Sequence, residues 1–211
     1  MHRRVAGIDV HRMLHVVTVL IEQADGAMQR HTREFGRPVD TIRQHIVRWS
    51  GYVDAARTLA ELGVKMDCNY LSVSPFSIGF MAGSGRSLPF VDTNGDLIPV
   101  YQQSTQWTEE CLIHPDFVFS ERWPVERALA EAGALLASAA QEHHTPVAMN
   151  SHPVSYATYS APFVRGAWAA ARELGLPIVS ADDWLHWTQM RAAIRLERAG
   201  DGWVLHSAQE T

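Results

Sequence analysis

Apolar and polar residues alternate through the first three dozen positions. Val5, Ile8 and Val10 mark one strand, His15 to Ile21 a second rich in Val and Thr, and Ala27 to Phe35 a third. Ala24-Asp25-Gly26 supplies a turn between the last two, Asp-Gly being the strongest short-range hairpin signal. Residues 3–35 therefore predict a three-stranded antiparallel meander. The period changes at Pro38. Thr41 to Trp49 and Val53 to Leu62 predict helices, the second with Ala56, Leu59, Ala60 and Leu62 on its apolar side and Gly63 as its stop. Val64 to Tyr70 predicts a short strand. Helix, glycine, then strand is the joint of an α/β fold.

The stretch from Leu71 to Glu121 has no sustained period. Gly83-Ser84-Gly85 lacks a following Lys-Ser/Thr and a strand-to-helix setting, and predicts a loop rather than a phosphate cradle. Leu88 to Val91, the turn Asp92-Thr93-Asn94-Gly95 and Leu97 to Gln102 predict a β-hairpin. Arg122 to Glu142 predicts the clearest helix, with Ser120 as its cap, Pro124 in its first turn and Val125, Leu129, Ala132, Leu136 and Ala139 as its apolar stripe. His143-His144 at its end favours the C-terminal dipole. Pro146 to Asn150 predicts a strand, Ala161 to Leu174 a helix closed by Gly175, and Pro177 to Val179 another strand. Ser180 or Asp182 caps a last helix running to about Arg198, and Trp203 to His206 is extended.

Composition sets wide limits. A hydrophobic fraction of 46% and a charged fraction of 19% fit an ordinary globular protein of one domain with a small appendage. No run of about 18 apolar residues is present, and Asp9, His11 and Arg12 interrupt any signal-peptide core, so a cytoplasmic protein without a membrane partner is expected. Cys68 and Cys111 lack metal or redox spacing and predict buried free thiols. The net charge of −5 is uneven. Residues 1–48 carry eight Arg against five acids, and the remainder ten Lys or Arg against eighteen acids. The acidic remainder argues against a phosphate-backbone footprint over most of the surface.

The run R-R-V-A-G-I-D-V-H-R from Arg3, the following H-V-V-T-V-L strand and R-E-F-G up to Gly36 resemble the opening of a RuvC-like DEDD transposase of the Piv type. The resemblance implies that Asp9 stands where such nucleases place their first magnesium-holding carboxylate, with DNA as the partner. The other three acids of the set do not follow in the sequence, and phosphodiester cleavage by two metals needs several carboxylates.

Residues 41–198 resemble a different family, the carbohydrate deacetylases with the NodB fold. Arg43-Gln44-His45 followed by Trp49-Ser50-Gly51-Tyr52 resembles a groove-lining motif, and Leu62 to Tyr70 resembles the strand of the next one. The run Phe90 to Trp107 resembles an insertion of a deacetylase-like subgroup. Val147 to Pro153 resembles an apolar strand ending in the family's acid His, and Leu176 to Ser180 with Asp182-Asp183-Trp184-Leu185 resembles the last strand and helix. The resemblance implies His152 and Asp67 as the catalytic candidates. It implies Arg43, His45, Trp49, Tyr70 and Trp184 as carbohydrate-contacting residues, the aromatic rings covering apolar sugar faces. The T-F-D-D-G and H-x-x-x-H motifs that hold zinc in that family are not in the sequence, so no bound cofactor, zinc or magnesium, is expected.

Together these readings predict an α/β fold, an incomplete NodB-like β/α barrel preceded by the β-meander. The expected division is 1–36, 41–198 and an extended 199–211, with the junction between 36 and 45. The expected function is that of a truncated carbohydrate deacetylase-like protein binding sugar weakly and lacking catalysis. The alternatives are a DNA-binding transposase fragment and a non-functional fusion product. An open sheet edge would favour self-association.

Overall fold

The computed structural model describes residues 39–43, 51–70 and 85–207 with their side chains, and residues 4–11, 14–22 and 28–35 as backbone. The molecule is a mixed α/β protein of helices and several small sheets, with no closed barrel among the described residues. No helix among those residues is long and apolar enough to cross a membrane.

The amino-terminal strands β1 (Arg4–His11), β2 (Leu14–Glu22) and β3 (Met28–Phe35) form the predicted antiparallel meander, in the order β1-β2-β3. Asp9 lies opposite Val16 in its register. The Asp-Gly turn lies outside the described residues.

The next sheet holds β4 (Thr41–Ile42), β5 (Met66–Asp67), β6 (Leu88–Val91) and β7 (Leu97–Gln102) in the order β4-β5-β7-β6. β4, β5 and β7 run parallel, and β6 closes the predicted hairpin antiparallel to β7. Asp92 organises that hairpin turn, its Oδ1 accepting from the Asn94 and Asp96 amides at 2.8 and 3.0 Å, and Gly95 supplies the positive φ the turn requires. Helix α1 (Asp54–Glu61) falls where its apolar stripe predicts, burying Ala56 and Leu59 against Val64, Tyr70, Phe90, Ile98 and Val100. Thr41 was expected in a helix. Its short β-branched pair Thr41-Ile42 instead lies beside Met66-Asp67, and residues 44–50 are outside the described set.

The chain leaving β7 changes partners. Gln103 and Thr105 donate amides to the Asp67 and Tyr70 carbonyls, and Gln106 then donates to Ala148 across the other side. β8 (Trp107–Thr108) thus pairs in parallel with β9 (Met149–Asn150). One extended segment, 97–108, serves two sheets.

Helices pack on this frame. α2 (Glu109–Ile113) follows β8 directly, and α3 (Val125–Ser138) continues into a π-helical turn, Ala139–His143. α3 begins three residues later than expected because Ser120 is spent on the Arg122 amide, and Pro124 stands at the cap position without a side-chain bond. After β9 a helical run begins at Pro153, earlier than the apolar pattern suggests. It comprises α4 (Pro153–Ser155), a π-helical Tyr156–Ser160 and α5 (Ala161–Glu173). α3 and α5 pack on Trp107, Leu112 and Ile113 around Phe163 and Val164. Ile178 and Val179, expected in a strand, have no strand pairing among the described residues and are about half exposed. α6 (Ala181–Ala192) starts at a capping box of Ser180 and Asp183, as predicted, but ends six residues early. The two-residue Gly200-Asp201 loop lets the remaining residues pair as a hairpin of β10 (Arg195–Ala199) and β11 (Gly202–His206), with Gly200 at positive φ.

Gly166 marks the close crossing of α3 and α5. A Cβ there would lie 2.6 Å from Leu129 Cδ2. The helix-propensity gain of Gly166→Ala, about 1 kcal/mol, is therefore expected in a Leu129→Ala background and not in the native one. A double-mutant cycle by urea unfolding reads this coupling, and additive effects would show that the two positions do not meet.

Candidate functional site

Several charged and polar side chains stand at the carboxyl ends of the parallel strands. Arg43 follows β4, Asp67 ends β5, Glu109 follows β8, and Asn150 ends β9 with His152 just beyond. The side chain of Thr108 caps α2, accepting from the Cys111 amide at 3.1 Å. That cap fixes Glu109 and Glu110 at the first turn of the helix.

Glu109 is fully buried. Its Oε1 accepts from the His152 backbone amide at 2.7 Å and sits 2.9 Å from His152 Nδ1. Glu110 Oε2 lies 3.3 Å from the same ring nitrogen. A carboxylate can only accept, so this pair places the proton on Nδ1 and leaves Nε2 of a neutral ring as the acceptor. The His152 side chain is 31% exposed, so the ring is held from within and open on one side.

Other polar atoms around these strand ends are buried without a partner. Glu109 Oε2, Arg43 Nε and Asn150 Nδ2 make no hydrogen bond among the described residues. Asn150 lies opposite Thr108, the residue before Glu109. Burial pulls the Arg43 guanidinium below its ordinary range, and the Glu109 carboxylate is the largest charge opposing that. Buried orphan donors and acceptors are few in folded proteins.

Asp67, a catalytic candidate by the deacetylase resemblance, is buried and hydrogen-bonded to Asn69. Its carboxylate accepts from the backbone amide of Asn69 at 3.2 Å and from the Asn69 side chain. The carboxylate that orients His152 is Glu109. Burial pushes the Asp67 carboxyl up to about 6, against the pull of the Asn69 donors. A carboxyl held above its unfolded value stabilises the fold fully below about pH 4, and that contribution disappears as pH rises through its folded value. Between about pH 4 and pH 7, the melting temperature of Asp67→Asn relative to the native chain is therefore expected to climb, by the equivalent of roughly 2 kcal/mol. A constant difference across that range would show that Asp67 is ionised as readily in the fold as in the open chain.

Neither cysteine offers a nucleophile. Burial pushes the Cys68 thiol up to about 12, with the Asp67 charge adding to the effect, and burial also raises Cys111. Both are free thiols, Cys111 buried and Cys68 partly so.

The remaining sequence candidates scatter. Tyr70 packs in the core against Phe90, ring centroids 6.1 Å apart. Trp184 lies on α6, its indole N–H donating to Ser87 Oγ at 2.8 Å and Gln103 Oε1 at 2.7 Å. His45 and Trp49 lie outside the described residues, as does the Asp9 side chain. No three His, Cys, Asp or Glu side chains among the described residues come together as a metal-ligand set, so the zinc that the deacetylase resemblance implies finds no fit there. Glu109 escaped the sequence reading. Its signal was Thr108 followed by two acids, a helix start concealed in a stretch with no clear period.

Comparison with protein-family models, curated proteins and solved structures gives no match to this chain.

Proposed function

We propose that the chain is a carbohydrate-binding protein built on a deacetylase-like plan, an incomplete NodB-like β/α barrel whose cleft binds sugar weakly and does not turn it over. The supporting observation is the Glu109–His152 pair at the strand ends, with Arg43 and Asn150 presenting buried donors beside it. A carboxylate-held imidazole with a free Nε2 can exchange a hydrogen bond with a sugar hydroxyl or an N-acyl group. The guanidinium and amide would fix the ring's orientation. Hydrolysis of the acyl group also requires an activated water, and the described residues hold neither a metal-ligand set nor an ionised thiol to provide a nucleophile.

Titration calorimetry with a chitin oligosaccharide is expected to give saturable binding in the millimolar range. Arg43→Ala and His152→Ala should weaken it by about tenfold each, the loss of a hydrogen bond to a charged or strongly polarised group. No acetate release above the blank is expected with zinc, cobalt or manganese added. Binding unaffected by both substitutions, or no binding at all, would remove the proposal. Retention of a DNA duplex in place of the sugar would favour the transposase-like reading.

A further inference from the structure

A basic concavity is lined by none of the residues described around His152. It has a volume of about 260 Å³ and opens between the end of α3 and the outer face of α6. The segment His144 to Pro146, which forms one wall, leads into β9 from the end opposite to His152. Arg86, Arg191 and His144 line it, with no acidic residue among the ten lining side chains, on a chain whose net charge is −5. Ala139, Pro146 and Leu176 supply an apolar floor.

The cationic wall is held rather than loose. Trp184 and Trp187 stack at 4.6 Å between centroids with 22° between their planes, and the Arg191 guanidinium carbon lies 4.7 Å from the Trp187 centroid. Trp184 is tied at its far end to Ser87 and Gln103, and Gln103 Nε2 donates in turn to the Gly85 and Ser104 carbonyls. The column from Gln103 through both indoles therefore ends on a guanidinium at the pocket wall. The acids nearest in sequence on α6 are engaged elsewhere, Asp183 with Ser180 and Asp182 with Thr41. His144 closes the π-helical turn at φ 49°, a left-handed conformation that side chains other than glycine seldom adopt. It ends the helix in the usual left-handed cap, with the Thr145 amide donating to the Ala139 carbonyl, and so sets where His144 sits on the wall.

We infer that this pocket binds the oxyanion of a small organic acid, a phosphate monoester or a carboxylate, with the carbon skeleton on the apolar floor. Guanidinium groups present a planar fork of donors matched to such oxygens, and a pre-positioned fork loses less entropy on binding. The volume lies just below the range of drug-sized sites and suits one sugar-sized ring, not a polymer. The inference stands independently of the carbohydrate reading of the His152 cleft.

The test uses the full chain with glucose 6-phosphate, glucuronate, inorganic phosphate and glucose, followed by titration calorimetry at low and high salt. Glucose 6-phosphate or glucuronate should bind more tightly than glucose, with affinity falling as salt rises. The tighter of the two identifies phosphate or carboxylate as the ligand group. Arg191→Ala and Arg86→Ala should each weaken binding of the anions about tenfold and leave any affinity for glucose unchanged. Trp187→Leu, which breaks the column but leaves Arg191 in place, should weaken it less than Arg191→Ala does. Thermal melts confirm that each variant is folded. Equal affinity for glucose and its phosphate, no binding of either anion, or indifference to both arginine substitutions would overturn the inference.

Discussion

Glu109→Ala is expected to lower the free energy of unfolding by about 3 kcal/mol, the largest effect of any single change at the cleft. The carboxylate accepts two hydrogen bonds from His152, one from its backbone and one from its ring, and it is fully buried. Truncation leaves the buried end of that turn without its acceptor and opens a cavity where the side chain stood. Two opposing effects bear on the outcome. Burying a carboxylate is itself costly, and its removal relieves that cost. The lost acceptor weighs more, because two donors are stranded at once. Glu109→Gln keeps an oxygen at the same place and should retain most of the stability. Urea unfolding of both variants checks the ordering, and an alanine variant as stable as the glutamine one would show that the contact contributes nothing to the fold.

Phe163→Ala is expected to cost about 3–5 kcal/mol. Its ring is fully buried at the centre of the larger core cluster and meets Trp107 edge-on, centroids 6.5 Å apart at 66°. Trp107 in turn immediately precedes the Thr108 cap and Glu109. A cavity beside Trp107 loosens the residue that seats α2, so the loss should extend to the cleft. Phe163→Leu, which retains most of the volume, should cost about 1.5 kcal/mol or less. Thermal melts, with amide exchange at Cys111 as the local probe, separate a global loss from a local one. If the leucine and alanine variants were equally stable, the packing argument would fail.

The elements that could be read from the sequence share a physical property: their signal is local. The meander, the Leu88–Gln102 hairpin, α1 and the Ser180 cap of α6 each declare themselves by period, turn chemistry or cap within a few residues. The errors fall where tertiary context decides. Thr41-Ile42 is too short to show a period and becomes a strand only because Met66-Asp67 lies beside it. The helical run starting at Pro153 follows a capless histidine whose backbone is held by Glu109, forty-three residues away. His152 was legible as a candidate because it ends an apolar strand. Its partner was not, since no spacing rule links residue 109 to residue 152. Asp67 was singled out by resemblance, and its hydrogen bonds to Asn69 could not be read from the sequence.

Residues 191–207 are all solvent-exposed, and among the described residues β10 and β11 pair with one another as a hairpin and with no other strand. Two strands alone are marginal in water. Their amides should exchange with solvent far sooner than those of α3 or α5, and a protease should nick this arm while the core stays intact. The same independence makes the Gly200-Asp201 loop a graft point. An epitope or fluorophore tag inserted there would sit at the tip of an exposed hairpin. The arm could thus serve as a handle for attaching the protein to a surface or reporting on its position.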